Sequence, residues 1–290
     1  MTRRELLERI ALFPLVAEKL TDDMLSGDFR SIFKGQGIEF DEVRRYEDGD
    51  DARSIDWNVS ARFGQPFIKL YREERELTVF LVLDRSLSMA SGGGVRRRSD
   101  QAALAAALVA LSAERAGERV GGVLFDAEVR RVFPPRKGRR HALALIGAAL
   151  AEPAGPGGSA LGRALAGARR ALKRRSLVVV LSDFLCLDWE REFAALCRRH
   201  DVAAVRLTDP TDLKLPEAGL ADFRDPETGA AIAAPVGAAS FREAWESDQA
   251  DRAAAWRTAC RRWGAGTLEL STGEDPATAL SRWFRERRRA

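Results

Sequence analysis

The sequence predicts an α/β domain: a mixed, mostly parallel sheet with helices on both faces. Two observations predict it. From Leu77 onward, short apolar runs alternate with amphipathic stretches of helical length, and the strongest run, Leu177-Val178-Val179-Val180-Leu181, is apolar throughout, as strands of a covered parallel sheet are. The 290 residues, 46% of them hydrophobic, are enough for one large domain with an appended segment.

Along the chain, residues 1–34 read as a helical arm, because Leu6, Ile10, Leu15, Val16 and Leu20 follow helical spacing and Pro14 divides the run. Residues 35–77 change to charged turns around short extended pieces, with Asp48-Gly49-Asp50 as a turn and Phe67-Ile68-Lys69-Leu70 as a strand. This segment is expected to pack on the main domain rather than hold a core by itself. The turn Glu47-Asp48-Gly49-Asp50-Asp51 lacks the spacing of a calcium loop, and a solvated turn or an ion pair with Arg44, Arg45 or Arg53 is expected there.

Residues 78–290 form the main domain. Its strands are expected at Thr78 to Asp84, Val120 to Phe125, Leu177 to Ser182, Val202 to Leu207 and Thr267 to Leu270. Helices are expected at Asp100 to Ala116, with Ser99 or Asp100 as N-cap, and at Arg139 to Leu150, Leu161 to Arg174, Trp189 to His200, Ser240 to Trp263 and Pro276 to Arg285. Two hairpins make the sheet mixed: Phe125 turns into Val129 to Phe133, and Ala221 to Phe223 pairs with Ala231 to Ala233.

Composition excludes several classes. With 47 basic against 43 acidic residues, the net charge of +4 gives little pull on a polyanion, and the basic clusters lie at predicted helix ends. Cys186, Cys197 and Cys260 form no Cys-x-x-Cys pair, which points to reduced thiols in a cytosolic protein. The N-terminal apolar stretch Ile10 to Ala17 is far short of the roughly 20 residues that span a bilayer, so neither a signal peptide nor a membrane helix is expected.

The chemistry gathers where strands end. Asp84, Ser86 and Ser88 leave the run Val79 to Leu83 together, offering one carboxylate and two hydroxyls. These are hard oxygen donors of the kind a small divalent ion prefers. In an open α/β sheet, ligands bind at the carboxyl ends of strands, and two more oxygen-bearing loops fall there. Ser159 follows Gly155-Pro156-Gly157-Gly158 just before a helix, where it could equally be an N-cap. Asp183 ends the Leu177 to Ser182 strand, where it could equally make an Asx turn.

Asp84-x-Ser86-x-Ser88, a hydroxyl after Gly158, and Asp183, in that order, resemble the metal-ion-dependent adhesion site of von Willebrand factor A domains. The resemblance implies a von Willebrand factor A-like, Rossmann-like fold with Mg²⁺ or Mn²⁺ as cofactor. It makes Ser86 and Ser88 direct ligands and Asp84 and Asp183 mainly water-mediated ones, with Ser159 standing where the family usually has threonine. Upstream, Gly37 to Arg44, Tyr46, Gly49-Asp50-Asp51, Arg53, Ile55-Asp56-Trp57, Ala61-Arg62 and Glu73 to Thr78 resemble the bacterial domain of unknown function family 58. Members of that family are often encoded beside MoxR-type AAA+ ATPases, and many carry N-terminal membrane helices absent from this sequence. A cytoplasmic form is therefore expected.

Two carboxylates roughly cancel the charge of one divalent ion and leave a position that a partner's carboxylate can fill. The expected function is a non-catalytic protein-interaction module, with a MoxR-type ATPase or its client as partner. A Mg²⁺-dependent phosphatase or phosphotransferase with Asp84 as nucleophile is the enzyme alternative, weakened because Ser86 stands where a second carboxylate is usual. No P-loop, Gly-x-Ser-x-Gly elbow or His-Glu-x-x-His helix occurs. His141 and His200 fall in basic helical stretches away from the strand ends. Trp57, Phe63 and Phe67 beside Arg53, Arg62 and Lys69 could meet nucleic acid, but docking onto the main domain is the expected role, and no nucleic-acid partner is expected.

Overall fold

The computed structural model describes residues 38–47, 49–73, 77–92, 96–151, 157–217, 219–225 and 229–289, together with Glu5, Ile10 and Thr21. The expected arm over 1–34 otherwise lies outside the described residues, as do Asp48 and the Gly155-Pro156 pair. Two compact units are present: Arg30–Glu76, and Met1–Phe29 with Leu77–Ala290.

In the smaller unit, β1 (Ile38–Arg45) pairs antiparallel with β2 (Phe67–Glu73), with a bulge between Phe40 and Glu42. Between them lies a short helix, α1 (Trp57–Phe63), which the extended reading of this segment did not anticipate. Its local cause is clear: the Asp56 carboxylate accepts from the N–H groups of Asn58 and Val59, and Gly64 closes the helix at φ 67°. The expected ion pair is made by Arg44, whose guanidinium grips both oxygens of Asp50 at 2.7 and 2.8 Å.

The larger unit is an α/β sandwich. Its strands are β3 (Thr78–Asp84), β4 (Arg119–Phe125), β5 (Val129–Arg136), β6 (Leu177–Ser182), β7 (Asp201–Thr208) and β10 (Gly266–Ser271). They form one six-stranded sheet in the order β10-β7-β6-β3-β4-β5, parallel except for β5, which runs antiparallel to β4. The other hairpin, β8 (Ala221–Arg224) and β9 (Ala231–Ala234), is a separate two-stranded sheet. β5 continues past Phe133 through Pro134 and Pro135 because it is an edge strand, where a missing N–H donor breaks no ladder. β4 lies close to its neighbours through Gly121 and Gly122: a Cβ on Gly121 would stand 2.8 Å from the Phe133 carbonyl oxygen.

Helices α2 (Arg98–Arg115), α3 (Arg139–Ala151) and α8 (Pro276–Arg289) cover one face. On the other face α4 (Leu161–Ala171), α5 (Glu190–Cys197) and α7 (Ala239–Arg262) enclose Phe80, Val82, Val178, Val180, Val202 and Ala204. A single turn, α6 (Pro210–Leu213), follows β7. The cap expected at Ser99 or Asp100 is displaced: Arg97 is the N-cap, and Asp100, now in the first turn, accepts from the Arg97 N–H at 3.4 Å. An acidic residue in the first turn suits the positive end of the helix dipole as well as a cap would.

Strand alternation determines what reaches the sheet edge. Side chains at every second position share a face, so Asp84 continues the row of Phe80 and Val82, Ser182 that of Val178 and Val180, and Arg206 that of Val202 and Ala204.

Candidate functional site

Asp84 sits at the centre of the carboxyl edge and is completely buried. Oδ1 accepts from the Ser86 N–H at 2.9 Å; Oδ2 accepts from the Ser159 hydroxyl at 3.0 Å and the Ser182 hydroxyl at 2.6 Å. Burial, with a smaller contribution from the Asp183 charge, pushes its pKa up to about 6, against the pull of the hydrogen bonds from Ser182 and Ser86.

Ser86 and Ser88 occupy the following turn, their hydroxyl oxygens 3.0 Å apart. The turn is held from behind: the buried Arg98 of α2 donates to the Ser88 carbonyl oxygen at 3.0 Å and pairs with Asp212 of α6. Ser159 is not an N-cap. Ala160 occupies that position without a side-chain cap bond, leaving the Ser159 hydroxyl for Asp84.

Asp183 is buried, and its Oδ1 accepts from the Leu185 N–H at 3.1 Å, so the Asx turn is real. Its Oδ2 is buried without a hydrogen-bond partner among the described residues. The loop carrying it is pinned by Phe184, which takes a left-handed φ of 56° and packs against Trp189 at 5.1 Å and Trp256 at 5.5 Å. A bulky residue in that conformation costs on the order of 1–3 kcal/mol, which the aromatic packing offsets. Gly162 lets α4 approach this loop, since a Cβ there would stand 2.9 Å from the Asp188 carbonyl oxygen.

Asp84, Ser86, Ser88 and Ser159 thus form one hydrogen-bonded set. Asp183 joins at the same edge through its charge on Asp84 and through its neighbour Ser182. Two residues were missed in the sequence. Ser182 donates the shortest bond to Asp84, and the period-two row after Val178 and Val180 would have revealed it. Cys186 lies beside Ser159, its thiol pushed up to about 12 by burial although the Ser159 hydrogen bond opposes the shift. His141 lies on α3, and His200 follows α5, away from this edge.

Two carboxylates and three hydroxyls with one orphaned carboxylate oxygen fit a hard divalent ion that retains water in its shell. Among the described residues, no group of three or more His, Cys, Asp or Glu converges, so a zinc-type donor set is not offered. Beside Ser159, a cleft of about 800 Å³ runs between α4 and the start of α5, with Leu187 exposed at its rim.

Among solved structures, that of the conserved hypothetical protein BatB from Bacteroides thetaiotaomicron matches 74% of this chain and 100% of its own, at 15% identity and a TM-score of 0.51. The von Willebrand factor type A structure from Catenulispora acidiphila matches 77% of this chain and 43% of its own, at 16% identity and a TM-score of 0.43. The α/β fold, with its mixed and mostly parallel six-stranded sheet, is similar to that of BatB and is the architecture that the resemblance implied. Among described residues, no helix is long and apolar enough to cross a membrane. By sequence, the uncharacterised protein Rv1480 of Mycobacterium tuberculosis is 32% identical over 278 residues, covering 95% of this chain and 87% of the relative. The family model described as protein of unknown function DUF58 matches residues 42–255, and the chain belongs to that family.

Proposed function

We propose that this protein is a non-catalytic interaction module that captures a partner's carboxylate through a divalent ion, Mg²⁺ or Mn²⁺. The observation that carries this reading is the set of buried Asp84, Ser86, Ser88 and Asp183 with half-buried Ser159 at one sheet edge, the Asp183 Oδ2 being unpartnered among the described residues. Ser86 and Ser88 would ligate directly, Asp84 and Asp183 mainly through water, and Ser159 would stand in for threonine. The ion would supply an electrophilic position for an incoming carboxylate. This chain's own residues orient the hydroxyls and keep bulk water from Asp84.

The partner we propose is a MoxR-type AAA+ ATPase or a client it remodels, in keeping with membership of the DUF58 family. A phosphotransferase with Asp84 as nucleophile is disfavoured by the complete burial of that carboxylate and by its engagement with Ser86, Ser159 and Ser182. The test is co-purification of the host's MoxR-type ATPase with wild type and with Asp84→Ala, in Mg²⁺ and in EDTA. Capture by wild type in Mg²⁺ alone is expected; equal capture in all conditions would remove the metal from the mechanism.

A further inference from the structure

Arg206 stands apart from the other charges of this domain. It lies in β7 and is only 8% exposed, yet its guanidinium makes no hydrogen bond or ion pair among the described residues. Its support is the Trp256 ring, with the guanidinium carbon 5.9 Å from the centroid. Burial pulls its pKa down, and the charges of Glu269, Asp183 and Asp212 only partly offset this. Although the residue is largely buried, none of its nitrogens is fully shut off from solvent, and Arg206 lines a cavity of about 200 Å³ together with Arg98, Asp183, Asp212, Trp245 and Arg252.

The other charges around that cavity have partners. Arg98 pairs with Asp212, Arg252 with Asp248 at 2.7 Å, and Glu269 with Arg257. Arg206 and Asp183 are left over, and no ion pair joins them. Asp183 is also the residue whose charge a divalent ion would consume. With the ion bound, Arg206 becomes the uncompensated charge of the pocket. The cavity is below the roughly 300 Å³ typical of small-molecule sites, so it suits the end of one side chain rather than a nucleotide.

We propose that this pocket is an anion subsite in which Arg206 receives a carboxylate side chain of the protein partner, next to the carboxylate taken by the metal. The proposal rests on the metal-bridged reading and refines it: the partner presents a pair of acidic residues, and a partner with one carboxylate binds more weakly. A guanidinium offers two parallel N–H donors to a carboxylate, a geometry lysine cannot reproduce.

The subsite can be tested without the metal. Glutarate is titrated in EDTA into wild type, Arg206→Met, Arg206→Lys and Asp183→Asn, following the indole N–H resonances of Trp245 and Trp256 by NMR. Saturable shifts are expected in wild type. Binding should weaken about tenfold or more in Arg206→Met, weaken less in Arg206→Lys, and tighten in Asp183→Asn as the repelling charge is lost. Because Arg206 has no hydrogen bond or ion pair to lose among the described residues and the methionine side chain can still pack on the Trp256 ring, Arg206→Met should fold with a urea midpoint no lower than wild type. Absence of glutarate binding to wild type, or equal binding by Arg206→Met, would overturn the subsite. A protein that fails to bind Mn²⁺ but binds glutarate through Arg206 would overturn the metal reading alone.

Discussion

The Ser159 hydroxyl donates to the buried Asp84 carboxylate at 3.0 Å, joining two loops 75 residues apart in sequence. Removing it leaves a buried carboxylate oxygen with one donor fewer. Ser159→Ala should therefore lose about 1–2 kcal/mol in urea denaturation and bind Mn²⁺ about tenfold more weakly. Ser159→Thr, which retains the hydroxyl, should stay near wild type in both measurements.

Acid should act on the metal-free protein through two groups of opposite sign. Asp84, raised to about 6 from an ordinary value of 3.8, is penalised while ionised; that penalty is full above its folded pKa and relieved as pH falls from 6 through 3.8. His200 is held down to about 4 from 6.5, chiefly by burial and then by Arg199 and Arg175, and both of its ring nitrogens are buried without hydrogen-bond partners among the described residues. Its contribution is complete above 6.5 and is lost as pH falls toward 4. His200→Leu should therefore lose less stability than wild type between about pH 7 and about pH 5 in EDTA, as read by urea midpoints. Parallel losses in the two proteins would contradict the assignment.

Metal affinity should follow the Asp84 titration. An ion needs the ionised carboxylate, so Mn²⁺ binding followed by calorimetry should weaken progressively as pH falls below about 6. Affinity independent of pH across that value would separate Asp84 from the ion.

Phe184 tests how the Asp183 loop is held. Truncation to alanine removes its contacts with Trp189, Trp256 and Phe193 and should cost about 3–5 kcal/mol. Phe184→Gly loses the same packing but accepts the positive φ freely. It should be about 1 kcal/mol more stable than Phe184→Ala, a reversal of the usual order of alanine and glycine.

Much of this arrangement was legible in the sequence because strands and their ends carry strong local signals. β3 and β6 were delimited by their apolar runs, and Asp84 and Asp183 follow from where those runs stop. Ser159 was harder to assign, since a hydroxyl before a helix fits a cap equally well and only the tertiary bond to Asp84 decides. Arg206 was invisible for a different reason: it lies near the end of an apolar strand, as a charged residue would at a solvated edge, and Trp256 of helix α7 packing beside it helps to bury it. Helix α1 escaped because Asp56 can cap a helix or close a turn, and seven residues carry little periodicity.

The central claim is that Asp84, Ser86, Ser88, Ser159 and Asp183 hold one divalent ion. Its most direct test is calorimetric titration of Mn²⁺ into wild type and into Asp183→Asn, which removes the charge behind the orphaned buried oxygen while leaving the shape almost unchanged. Saturable binding at a single site in wild type, lost or weakened at least about tenfold in the variant, is the predicted result. No binding to wild type, or equal binding to both proteins, would contradict the account.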